Sequence, residues 1–120
     1  MWVMVSGPYS AGTATGTSAD DDSDARAVNL ATLNRAALSL LRAGHLPIVG
    51  VNLSRPIARL AAEDPTPLIQ RMSMAAVERC DACLRIGGES AGADAEVARF
   101  RALGRPVYTR LEDVPPPEPA

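Results

Sequence analysis

Ala82-Cys83-Leu84-Arg85-Ile86-Gly87-Gly88-Glu89-Ser90-Ala91-Gly92-Ala93-Asp94-Ala95-Glu96-Val97, continuing to Gly104-Arg105-Pro106-Val107-Tyr108, is the stretch on which the fold turns. Its opening apolar run, Ala82 to Ile86, closes on Gly87-Gly88, as expected of a strand buried on both faces. Gly92 to Leu103 has helical spacing, Gly104 is a stop signal, and Pro106 to Tyr108 is strand-like again. Strand, glycine turn, helix and strand make the repeating unit of a parallel sheet.

The same alternation extends towards the N-terminus. Trp2 to Val5 is a short apolar strand ended by Ser6-Gly7-Pro8. Ser10 to Asp24 is rich in Gly, Ser, Thr and Asp and reads as a long, flexible acidic loop, a segment of the length that serves as a lid. A helix is expected from Asp24 to Ala43, then a strand over Leu46 to Leu53 and a short helix over Pro56 to Ala62. Asp64-Pro65-Thr66-Pro67 reads as a break before a helix from Leu68 to Arg79. Residues 1–110 are thus expected to form one α/β domain, a Rossmann-like three-layer sandwich on a parallel sheet of about four or five strands. The Pro-rich tail, 111–120, is expected to fray.

Composition narrows the function classes. The chain has 120 residues, 47% of them hydrophobic but only 3% aromatic, so its core must rest on Ala, Val, Leu and Ile. Its net charge is −2, all its basic residues are Arg, and none occur in a run longer than a pair, which argues against nucleic acid as a partner. The apolar N-terminus is too short for a membrane span and lacks a basic segment before it, so a cytoplasmic location is expected. Cys80 and Cys83 form a lone C-x-x-C beside a single histidine, His45; four ligands for structural zinc are missing, and no metal or cofactor is expected. The two thiols read as ordinary buried cysteines, and His45, after Gly44, as a helix-end cap.

In open α/β sheets ligands lie beyond the C-terminal strand ends. Two loops with suitable chemistry belong there: Ser6-Gly7-Pro8-Tyr9-Ser10, and Gly87 to Ala95. Glycines let a ligand approach the backbone, and a helix N-terminus offers N–H groups to anions. With ~100° per residue and Ala93 at zero, Val97, Phe100 and Leu103 fall near ~40°, ~340° and ~280°. Glu96 falls near ~300°, inside that apolar stripe, and Asp94 near ~100°, outside it. A carboxylate on the sheet side is costly unless hydrogen-bonded or facing a cavity. Glu96 is therefore either a functional carboxylate or a helix-dipole complement paired with a neighbour such as Arg99.

Several ordered motifs are similar to those of the nucleoside 2-deoxyribosyltransferase-like family. They are Val5-Ser6-Gly7-Pro8-Tyr9, Asn29, Gly44-His45-x-Pro47, Cys80-Asp81-Ala82-x-Leu84, Ser90-x-Gly92-x-x-x-Glu96 and Gly104-Arg105-Pro106-Val107. The resemblance covers about Met4 to Tyr108. It implies a flavodoxin-like fold, a nucleoside or nucleoside 5′-monophosphate as ligand, N-glycosidic hydrolysis or transfer, and a homo-oligomer. Glu96 matches the family's nucleophile. Ser90 stands where transferases carry an aspartate and 5′-monophosphate hydrolases a serine, which implies a phosphorylated substrate. Ser6, Gly7, Tyr9, Gly88 and Gly92 complete the implied nucleotide-binding set. The family's further aspartate, in the helix before the third strand, has no counterpart near Met72-Ser73-Met74. Asp94 or an acid of the Asp20–Asp24 segment is the substitute, and a non-catalytic nucleotide-binding or sensing module is the alternative. A partner-binding protein using the Pro-rich tail is a third reading.

Overall fold

A computed structural model describes residues 1–9 and 19–117, the side chains of 19–23 excepted. Its elements are β1 (Trp2–Ser6), α1 (Ala19–Arg42), β2 (Leu46–Ile48), α2 (Gly50–Ala58), α3 (Pro65–Val77), β3 (Ala82–Arg85), α4 (Ala91–Ala102) and β4 (Val107–Tyr108), followed by a 3₁₀ turn, Leu111–Asp113. The four strands are parallel and ordered β2-β1-β3-β4. This is the start of a doubly wound order, with its reversal between β1 and β3.

Strand alternation divides the core into two layers. Val3 and Val5 of β1, with Ala82 and Leu84 of β3, pack against Leu33 and Leu40 of α1. Met4 and Cys83 face the other way, onto Val77, Val97 and Phe100 of α3 and α4. The result is the expected three-layer α/β sandwich. Medium-sized aliphatic side chains fill most of it, and Phe100, at 0% exposure, is the only aromatic ring among the described residues that are fully buried.

Several boundaries differ from the sequence expectation. The loop expected over Ser10 to Asp24 lies partly outside the described residues, but from Ala19 onward the chain is already helical, so the acidic residues Asp20, Asp21, Asp22 and Asp24 belong to the start of α1. The strand expected to Leu53 stops at Ile48, and α2 begins at Gly50. Ser54 and Ala58, four apart, give α2 one small buried face, and the Ser54 hydroxyl donates to the Gly50 carbonyl at 2.9 Å. Asp64-Pro65-Thr66-Pro67 starts α3 rather than breaking the chain. The Asp64 side chain accepts from the Thr66 N–H at 3.0 Å, and Pro65 occupies a first-turn position that needs no N–H.

The tail expected to fray is docked as far as Pro117. Val114 packs on the α1-side core, and the Pro115 carbonyl lies 2.9 Å from His45 Nε2. His45, expected as a helix-end cap, is 3% exposed, and its ring meets Met1 and Pro115 instead. The Met1 amine donates to His45 Nδ1 at 3.1 Å, so Nε2 carries the proton and donates to Pro115. Gly44, at φ +98°, permits the turn that brings the ring inward.

Candidate active site

The reversal point between β1 and β3 gathers the residues with chemistry. Ser6 and Arg85, the last residues of the two strands, are partners in the ladder. Because Ser6 shares the face of Met4, its hydroxyl points to the α4 side, where it donates to Glu96 Oε2 at 3.2 Å. Ser6 is 2% exposed. Glu96 is half-buried on α4, in the apolar row formed by Ala93, Val97 and Phe100.

Burial is the strongest influence on Glu96 and pushes its pKa up to about 7. The Ser6 hydrogen bond and the Arg85 charge oppose that rise. Arg99, the other partner considered for Glu96, instead donates to Glu78 at 2.6 Å. Nearby, burial drives the thiols of Cys80 and Cys83 up to about 11 and about 12. Both cysteines are free and buried.

Arg85 organises the glycine turn. Its guanidinium donates to the Ile86 carbonyl at 2.6 Å and the Gly88 carbonyl at 2.7 Å, and reaches Asp94 at 3.4 Å. Asp94, the second candidate catalytic acid, has a side chain 72% exposed. Gly87 needs its glycine for φ +79°. Gly88 and Gly92 are different, since a Cβ on either meets nothing within 4 Å. Gly7 is tightly packed, a Cβ there falling 2.5 Å from the Ile86 carbonyl oxygen.

Ser90 is the N-cap of α4. Its oxygen accepts from the Ala93 N–H at 3.1 Å, which leaves its hydroxyl proton to donate elsewhere. Tyr9 follows the first strand, its carbonyl accepting from Asn29 Nδ2 at 2.8 Å. The Arg55 guanidinium of α2 lies 4.9 Å from the centre of the Tyr9 ring. On the α1 side of the edge, Pro8, Asn29, Thr32, Leu33, Ile86, Gly87 and Gly88 line a cavity of about 130 Å³.

The structure therefore joins Ser6 to Glu96 directly, sets Ser90 and Gly92 at the start of the same helix, and leaves Asp94 turned to solvent and Arg85. Sequence reasoning missed Arg55 and Arg85, and gave Arg105 no role beyond its place in the Gly104-Arg105-Pro106-Val107 motif. Arg105 donates to the carbonyls of Val77, Glu78 and Cys80, at 3.2, 2.9 and 3.0 Å, and so closes the C-terminal end of α3. Arg55 and Arg105 act on distant segments, which no local pattern marks, whereas Arg85 acts on the turn and helix that directly follow it. Asp81, from one of the family-like motifs, is structural: it accepts from the Trp2 N–H at 2.8 Å. Among the described residues no group of three or more His, Cys, Asp and Glu could hold a metal ion, and no helix is long and apolar enough to cross a membrane.

Neither the curated proteins nor the solved structures contain a match to the chain. A family model does match it, over residues 1–112, which includes the four described strands and the Ser6–Glu96 pair. The chain belongs to the family described as Domain of unknown function (DUF1937).

Proposed function

We propose that the protein breaks the N-glycosidic bond of a nucleoside 5′-monophosphate or nucleoside, with Glu96 as nucleophile. The observation that carries this reading is the Glu96 carboxylate held 3.2 Å from a buried hydroxyl at the sheet's reversal point. In the first step a carboxylate oxygen bonds to the anomeric carbon as the carbon–nitrogen bond breaks. The electron pair leaves with the base, which takes up a proton. Water then attacks the anomeric carbon, losing its proton and freeing the sugar and the carboxylate; a transferase would use a second base instead. Ser90, with a hydroxyl proton to give, suits a sugar hydroxyl or phosphate, and Gly88 and Gly92 leave room for close approach.

Incubation with nucleosides and their 5′-monophosphates should release free base, and Glu96→Ala should abolish release. Full release by the variant would reject the assigned role. A second reading, a nucleotide-binding or sensing module without turnover, is favoured by the exposure of Asp94 and the lack of an acid at Met72-Ser73-Met74. It predicts ligand-induced thermal stabilisation with no base released. In either case we take the protein to act in the cytoplasm as a homo-oligomer without a cofactor. Self-association is supported by the exposed apolar residues Leu53, Ile57 and Leu60, and light scattering tests it.

A further inference from the structure

We propose that Arg55 and Tyr9 form the grip for the substrate's 5′-phosphate, a reading that rests on the nucleotide chemistry proposed above. Arg55 is half-buried on α2 with its guanidinium over the Tyr9 ring. Arg85, Arg99 and Arg110 each meet a carboxylate, but among the described residues none pairs with Arg55. The Tyr9 hydroxyl is buried and has no hydrogen-bond partner among the described residues. A buried polar atom in that condition is costly and calls for an occupant.

The two groups share one chemistry. A guanidinium has five N–H donors and no acceptor, and the phenol adds an O–H donor. Donors gathered without an acceptor complement an oxyanion. A guanidinium stacked on an aromatic ring keeps its edge N–H groups for two-point binding of phosphate. A phosphate monoester has oxygens for both that edge and the phenol, whereas a carboxylate has only two in one plane.

Position supports the assignment. Tyr9 lies three residues beyond Ser6, the residue that holds Glu96, and its backbone is tied to α1 through Asn29. Arg55 follows Ser54, which is 0% exposed and anchors α2. Glu96 then contacts the substrate between two ends: the phosphate at Arg55 and Tyr9, and Ser90 at the start of α4.

The test is a binding titration of nucleoside 5′-monophosphates, each against its matched nucleoside, with inorganic phosphate as a third probe. Tyr9→Phe removes only the hydroxyl and keeps the ring, and Arg55→Gln removes the charge. Each should weaken monophosphate binding by about 10- to 100-fold, the worth of a hydrogen bond to a charged group. Nucleoside affinity should stay within about twofold, and inorganic phosphate should compete with the monophosphate in the parent protein. Equal loss for both ligands, no loss for either, or a parent protein that does not prefer the monophosphate would overturn the proposal. Inorganic phosphate binding with no monophosphate preference would mark a free-anion site and overturn it too. Base release separates this proposal from the enzymatic one. Discrimination without release supports the grip and removes the glycosidase, while release indifferent to both variants does the reverse.

Discussion

The Ser6 hydroxyl donates to the Glu96 carboxylate across 3.2 Å, joining two residues 90 positions apart at the one edge of the sheet where strand order reverses. The bond makes an acidic group on an apolar helix face tolerable and couples its ionisation to the first strand.

Glu96 should lower stability as pH rises. Its folded pKa, about 7, is above the ordinary 4.5, so between those values the native state binds the extra proton. Stability is therefore lost as pH climbs from about 4.5 to about 7, by at most roughly 3 kcal/mol. Glu96→Gln should flatten this part of the profile and be more stable than the parent at pH 8, measured by urea unfolding at pH 5 and pH 8. An unchanged slope would reject a buried Glu96 charge.

As a nucleophile Glu96 works only when ionised. Base release should rise with pH through about 7 and level off above it. Ser6→Ala deletes the donor that favours the carboxylate, so the rising limb should move to higher pH. A limb that stays put or moves to lower pH in this variant would contradict the coupling.

Asp94→Asn separates two roles for that residue. Its carboxylate is largely exposed and its contact with Arg85 is long at 3.4 Å, so stability should change by less than about 1 kcal/mol. Base release should fall less than tenfold. A loss of about 10²-fold or more would identify Asp94 as the acid that serves the leaving base.

Arg85 should matter more. Arg85→Met removes donors to the Ile86 and Gly88 carbonyls and the positive charge near Glu96. The expected cost is about 1–3 kcal/mol in urea unfolding, with the pH profile of base release displaced to higher pH. Parent-like stability would show that the glycine turn holds without the guanidinium.

His45→Ala should release the C-terminal tail. The ring bridges the Met1 amine and the Pro115 carbonyl, both of which lose their partner. A loss of about 1–3 kcal/mol is expected, together with faster proteolysis after Tyr108. Parent-like cleavage would mean the tail is held by Val114 and Pro117 alone.

Much of this molecule is legible in its sequence because the signals are local. Alternating apolar runs and glycine stops state the order of strands and helices, and a helical wheel sets Glu96 on the apolar side of α4 while leaving Asp94 outside. Short stretches with mixed signals were harder. Val49 to Leu53 is as apolar as a strand, yet the packing of Ser54 and Ala58 winds it into α2, and the prolines at 65 and 67 open a helix because first-turn positions need no N–H.

Tertiary structure alone decided the partnerships. Periodicity states which way a side chain points along its own element, but not what will be opposite when two elements meet. Hence Ser6 with Glu96, Arg55 on Tyr9, Arg105 across the end of α3 and His45 between Met1 and Pro115 emerge only when strands order themselves and helices pack. Backbone periodicity is a short-range property of the chain, whereas a hydrogen bond between distant residues exists only where the whole fold brings their atoms within reach.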